Sequence, residues 1–81
     1  MTIEEVLAQN PRWQYELLGR MQADCLYYLG YGMRCPNRLW ATNEKDQISF
    51  MKAIWENFPK EEKPVWLTWG EILEFEKQMV A

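Results

Sequence analysis

The sequence predicts an all-α fold, a small bundle of three main helices with a short N-terminal helix and a long ordered loop. Apolar residues recur at three- and four-residue spacing, as on the buried faces of amphipathic helices. Two Thr-x-x-Glu motifs, at residues 2–5 and 68–71, have the spacing of capping boxes that start helices. A segment rich in Gly, Pro and Asn lies between the second and third helices. At 81 residues the chain fits one helical domain over 1–81.

The first two helices are predicted from their caps. Thr2 and Glu5 supply the first capping box, so a short helix should run over about residues 3–9. Asn10 and Pro11 then offer an N-cap followed by a proline at the first helical position, where its missing N–H costs nothing. Either a second helix begins at this point or the first continues through a kink.

The second helix should span residues 11–29, and Gly30 is placed to end it in the left-handed conformation. The connection that follows, residues 30–42, is long for a domain of this size and needs an anchor in the core. Leu39 and Trp40 are the side chains expected to turn inward, and Trp40 is therefore a predicted loop-anchoring residue.

A third helix is predicted over about residues 43–57 and a last one over residues 69–79. The last helix has the more specific start signal, the capping box of Thr68 and Glu71. Several tryptophans are expected in the core together with the apolar stripes of the main helices, which contain Leu18, Met21, Cys25, Ile48, Met51, Ile54, Ile72 and Phe75.

Aromatic residues make up 15% of the chain, and five of them are tryptophans. Each large aromatic side chain can remove about 150–250 Å² from water. Because a domain this small buries little surface, these rings are more plausible as core material than as a surface that stacks on a ligand.

The charge balance argues against a nucleic-acid or membrane-surface protein. The formal net charge is −3, and residues 41–81 carry it all, since they hold eight acids and five lysines. Any locally basic surface must be built from the four arginines, which all lie in the first half of the chain: Arg12, Arg20, Arg34 and Arg38. The chain therefore lacks the broad cationic field that attracts nucleic acid or anionic lipid.

The residues that usually carry catalysis are scarce. Histidine is absent, and Cys25 and Cys35 lie ten residues apart with no CxxC motif. Cys25 lies on an apolar stripe, so a small core residue is favoured over a reactive thiol, and a disulfide between the two is disfavoured. We therefore expect no catalytic residue, cofactor or metal site, and no enzyme. The longest uncharged stretch, residues 25–33, is too short to cross a bilayer, which favours a cytoplasmic protein.

Asp24 is a carboxylate on a largely apolar helix and is the other predicted loop-anchoring residue. In one interpretation it forms an exposed ion pair with Arg20, four residues earlier. In the other it is a buried anchor, either for Arg34 or for backbone N–H groups of the loop. The residues alone leave both interpretations open.

The loop itself combines residue types that are favoured at protein interfaces and that can also stack on bases. Its candidate partner-binding residues are Tyr31, Met33, Arg34 and Arg38. Three interpretations remain open for it: a mere connector, a protein-contact loop and a nucleic-acid contact.

Several motifs together resemble the large polyvalent protein-associated domain family numbered eleven. That family has an Asp-Cys-x-Tyr-Tyr-Leu-Gly-x-Gly-x-Arg run, then Leu-Trp, Gln-Ile, Trp-Leu-Thr and a Tyr/Phe-Glu pair. The matching positions in this chain are residues 24–34, Leu39-Trp40, Gln47-Ile48, Trp66-Leu67-Thr68 and Phe75-Glu76. The resemblance spans roughly residues 14–79 and implies a domain of phages or conjugative elements, with no catalytic residues to carry over.

The expected function is a non-enzymatic protein-interaction module of a mobile element. Its partner would be an unidentified protein, with host machinery or host defence as the expected target. The alternative is a nucleic-acid contact module that uses the loop containing Arg34 and Arg38.

Overall fold

The computed structural model describes residues 1–80, which contain four α-helices and no β-strand. The helices are α1 (Ile3–Leu7), α2 (Pro11–Leu29), α3 (Glu44–Asn57) and α4 (Trp69–Met79). Single 3₁₀ turns lie in the connections, at Pro36–Arg38 and Lys60–Glu62. Helix α3 packs against each of the other three helices. The predicted all-α bundle is confirmed.

The helix starts follow the capping chemistry that the sequence predicts. At α4, the hydroxyl of Thr68 accepts a hydrogen bond from the N–H of Glu71, and the Glu71 carboxylate accepts one from the N–H of Thr68. The box at residues 2–5 forms in the same way. Asn10 caps α2, so α1 and α2 are separate helices. Asn43 caps α3, which therefore begins one residue later than predicted.

Helix α1 ends at Leu7, two residues before its predicted end. The reason is the buried side chain of Gln14, whose Nε2 donates to the carbonyl oxygens of Leu7 at 3.3 Å and of Gln9 at 2.8 Å. These carbonyls thus find partners without a further helical turn. The Oε1 of Gln14 also accepts a hydrogen bond from the Asn57 side chain, so one residue joins α1, α2 and the end of α3.

The prediction of a left-handed Gly30 is wrong, because its φ is −101°. The chain instead reverses three residues later, where Met33 and Arg34 have φ values of 51° and 57°. The loop needs a glycine for space at Gly32, where an added Cβ would lie 2.8 Å from the carbonyl oxygen of Tyr27. The close approach of the loop to the end of α2 thus requires glycine, while side-chain-bearing residues adopt the left-handed conformation.

All eight core residues named from the sequence are buried. The core is completed by residues from α1, the helix ends and both long connections: Val6, Leu17, Tyr28, Leu39, Phe58, Leu67 and Met79. Leu39 therefore anchors the connecting loop as predicted, with 2% of its surface exposed.

The expectation that several tryptophans fill the core needs correction, since all five are only partly buried and pack against the core from outside. An indole carries a polar N–H that must find an acceptor. Trp55 donates its Nε1–H to the carbonyl of Leu67, and Trp66 donates to the hydroxyl of Tyr15. The tryptophans therefore pack at the edges of the core, where the N–H groups of Trp55 and Trp66 reach polar atoms.

Candidate functional site

Asp24 holds the far end of the connecting loop. Its Oδ2 accepts a hydrogen bond from the backbone N–H of Trp40 at 3.0 Å, and only 16% of its side chain is exposed. Arg20 Nε lies 3.9 Å from the same oxygen, with 63% of its side chain exposed. Of the two buried-anchor interpretations, the structure therefore shows the backbone contact, whereas Arg34 bonds elsewhere.

Gln47 holds the loop at Ala41, the residue after Trp40. The sequence alone did not predict a role for Gln47. It is completely buried on α3, where its Oε1 accepts from the N–H of Ala41 at 3.0 Å and its Nε2 lies 3.4 Å from the carbonyl oxygen of Met21. The sequence did offer one signal for this role, because Gln47 is a polar residue next to Ile48 on the stripe predicted to be buried. One amide side chain thus joins α2, α3 and the loop.

Arg34 ties the loop to the C-terminal end of α4. Its Nη1 donates to the carbonyl oxygen of Gln78 at 2.9 Å, and its guanidinium carbon lies 5.8 Å from the ring centre of Tyr28. The guanidinium carbon of Arg38 lies 5.9 Å from the ring centre of Tyr27. Within residues 1–80, neither arginine has a carboxylate oxygen within 4 Å.

Tyr28 and Glu44 link the two helices that flank the loop. The hydroxyl of Tyr28 donates to Oε2 of Glu44 at 2.7 Å. This hydrogen bond raises the pKa of Tyr28 and lowers the pKa of Glu44. The loop therefore leaves and re-enters the helical bundle at two points that are joined to each other.

The tip of this held loop is open to solvent. Tyr31 and Met33 are each 90% exposed, and both arginines are exposed beside them. Tyr27 is 43% exposed, and its ring lies against Gly32, the residue between Tyr31 and Met33. We call this the loop-tip surface, and it consists of Tyr27, Tyr31, Met33, Arg34 and Arg38. It contains all four candidate partner-binding residues, whereas Asp24 and Trp40 lie at the loop's anchored end.

The two cysteines are free thiols. Cys25 is fully buried, with its Sγ 3.6 Å from the sulfur of Met51. Burial, reinforced by the charge of Asp24, raises the pKa of the Cys25 thiol to about 12. This thiol is therefore protonated at neutral pH, whereas the thiolate is the nucleophilic form of cysteine. Cys35 is half-buried.

A second surface feature is an open cleft between α3 and α4, lined by Trp55, Glu56, Lys63 and Trp69. Lys63 forms part of its wall, with its Nζ 4.5 Å from the Trp55 ring centre. The same ammonium group donates to the carbonyl oxygens of Trp55 and Phe58 at 2.9 and 2.6 Å. Its role is to cap the C-terminal end of α3, which leaves the loop-tip surface as the stronger candidate site.

Residues 1–80 contain neither a metal-binding cluster nor a membrane-spanning helix. No cluster of three or more His, Cys, Asp or Glu side chains is arranged to hold a metal ion. No described helix has the length and apolar character needed to span a bilayer.

The fold and the held loop define a small all-α domain whose conspicuous surface feature is a cationic, aromatic loop tip. A protein-family model for large polyvalent protein-associated domain 11 matches residues 11–79, which include α2, α3, α4 and the whole connecting loop. The chain belongs to this family, as its motifs predicted. No curated protein and no solved structure matches the chain.

Proposed function

We propose that this domain is a protein-interaction module of a mobile genetic element, a phage or a conjugative element, and that it works without catalysis. The family to which it belongs supports the mobile-element origin. Such a module would act on host machinery or on host defence after entry into a cell. The proposed binding site is the loop-tip surface.

One observation carries this proposal: the most exposed aromatic residue of the chain lies on a loop that is tightly held. Tyr31 is 90% exposed. Asp24 and Gln47 accept hydrogen bonds from the loop backbone, and Arg34 of the loop donates to a carbonyl of α4, so the loop is fixed to three helices. Since a loop already fixed in one conformation loses little entropy on binding, a pre-ordered loop favours partner binding over a mere connector.

The backbone at the tip supports the same interpretation. Met33 and Arg34 are consecutive residues in the left-handed region, which costs about 1–2 kcal/mol for each residue that carries a Cβ. Two glycines lie within three residues of this pair, yet neither has a positive φ. Strain of this kind persists where surrounding contacts hold it, and it is concentrated at binding sites.

The contents of the core support a non-catalytic role. Cys25 has the residue type of a nucleophile, but burial raises its pKa to about 12. Its thiol contacts Gln47 and the sulfur of Met51, and neither of these groups is a general base.

The nucleic-acid alternative is favoured by one observation: two exposed guanidinium groups lie beside aromatic rings. Arg12 lies about 26 Å from the loop end of α2 along the helix axis. Arg20 lies 3.9 Å from the carboxylate of Asp24. Two phosphate contacts would give a slope of only about −1.8 in log K against log salt. This is weak support in a chain with a net charge of −3.

A site-specific photo-crosslinker tests the proposal in cells that carry the element. The crosslinking amino acid replaces Met33 in one variant and Val65 in the control, since Val65 is 92% exposed in the connection between α3 and α4. We expect discrete protein adducts from position 33 and none of the same mass from position 65. Equal adduct patterns from both positions would contradict the proposal, and nuclease-sensitive adducts from position 33 would favour the alternative.

A further inference from the structure

The charges of the chain are segregated. Residues 20–40 contain three arginines and one acid, Asp24, whereas the rest of the chain has a net charge of −5. Asp24 offers little negative charge to solvent, because its carboxylate is mostly buried and bonded to the N–H of Trp40. The loop-tip surface therefore presents two exposed cations, Arg34 and Arg38, on an acidic protein.

The two cations of this surface are held in place beside the apolar tip. The carbonyl of Gln78 and the ring of Tyr28 hold the guanidinium of Arg34, and the ring of Tyr27 supports that of Arg38. A guanidinium is weakly hydrated and can bind a carboxylate through two parallel hydrogen bonds. Because both groups are already oriented, they can pair with carboxylates at little further entropic cost.

We infer that the loop-tip surface binds an acidic protein surface with an apolar recess, an inference that rests on the proposed function. Carboxylates of the partner would pair with Arg34 and Arg38, while Met33 and Tyr31 would enter the recess. A basic partner would bring like charges together at both arginines. A nucleic acid would use the two cations but would leave Met33 exposed.

A displayed library of random peptides of about 12 residues tests the chemistry of the partner without knowing its identity. The library is selected on the wild-type protein and depleted on the Tyr31→Ser/Met33→Ser variant. Both substituted side chains are almost fully exposed, so the variant keeps the core intact. We expect the enriched peptides to contain Asp or Glu beside Leu, Phe or Met.

The consensus peptide is then synthesised with a fluorescent label and titrated by anisotropy. We expect at least about tenfold weaker binding to Tyr31→Ser/Met33→Ser and about fivefold weaker binding to Arg38→Gln. Val65→Ser is the matched apolar control and Arg12→Gln the matched charge control, since Arg12 is exposed at the other end of α2. Both controls should bind within about twofold of the wild type. Thermal melts establish that every variant is folded.

The outcomes separate this inference from the proposed function. Enriched peptides that are neutral or basic, or an Arg38→Gln variant that binds normally, would overturn the acidic partner and leave the proposed binding site standing. Failure to obtain any peptide that distinguishes the wild type from Tyr31→Ser/Met33→Ser would overturn the proposed site itself. Displacement of the peptide by single-stranded DNA would overturn the protein partner in favour of nucleic acid. A dimer of the chain that Tyr31→Ser/Met33→Ser abolishes would assign the surface to a second copy.

Discussion

Replacing Asp24 by alanine should release the far end of the connecting loop. A hydrogen bond to a charged acceptor contributes about 1.5–3 kcal/mol to stability, and here the Asp24 carboxylate accepts from the Trp40 N–H at 3.0 Å. The higher helix propensity of alanine offsets about 0.5 kcal/mol of this loss in the free energy of unfolding. The expected loss in the free energy of unfolding is therefore about 1–2.5 kcal/mol for Asp24→Ala. Asp24→Asn should lose less, because its amide oxygen can still accept.

Arg20→Ala provides the matched control for this measurement. Its ion pair with Asp24 is long, at 3.9 Å, and open to water, so its loss should change stability by less than about 0.5 kcal/mol. Urea denaturation at pH 7 measures all three variants, and amide exchange of Trp40 in Asp24→Ala should increase more than that of α3. Equal losses for Asp24→Ala and Arg20→Ala would refute the anchoring role, because the ion pair would then explain the whole effect.

Three further predictions concern space, capping and thiol chemistry. Gly32→Ala should destabilise the protein by more than about 1 kcal/mol in thermal melts, because its Cβ would lie 2.8 Å from a backbone carbonyl oxygen of α2. A neutral result there would show that the loop shifts freely. Thr68→Ala should cost about 1 kcal/mol, and adding Glu71→Ala should cost less than the sum of the single losses, since the two side chains form one reciprocal unit; full additivity would contradict this. At pH 8 a thiol reagent should modify Cys35 and spare Cys25, whose pKa near 12 keeps it protonated; equal labelling rates in the folded protein would disprove its burial.

The parts of the fold that the sequence predicted are governed by local chemistry. Helix α2 spans residues 11–29 and α4 spans residues 69–79, both as predicted. The signals that start these helices, Asn10 with Pro11 and Thr68 with its glutamate, act within one helical turn. A local signal of this kind can be read without knowing the tertiary structure.

The features that escaped prediction depend on partners distant in the sequence. Gln47 bonds a residue six positions away and another 26 positions away. Arg34 bonds the carbonyl of Gln78, 44 positions away. The space that forces a glycine at position 32 exists only because the loop folds back onto α2. These contacts form only when the helices pack together, so the spacing of residues along the chain does not predict them.

The candidate site was partly predictable for the same reason. The composition of the loop indicated an interface, because arginine, aromatic residues and methionine favour binding surfaces. The sequence also limited Asp24 to two roles, and the structure shows that it accepts from the loop backbone while Arg20 lies at its exposed side. Which loop residues point to solvent depends on the left-handed turn at Met33, a conformation that its sequence does not favour.

Backbone ¹⁵N relaxation of the loop tests most directly the claim that an exposed binding loop is held in one conformation. The measurement gives order parameters for the amides of residues 32, 34, 35 and 39–42, all of which donate hydrogen bonds in the structure. We predict values close to those of α2 and α3, about 0.8 or higher, although Tyr31 and Met33 are almost fully exposed. Values below about 0.6 across these amides would contradict the account, because the loop would then be a flexible connector.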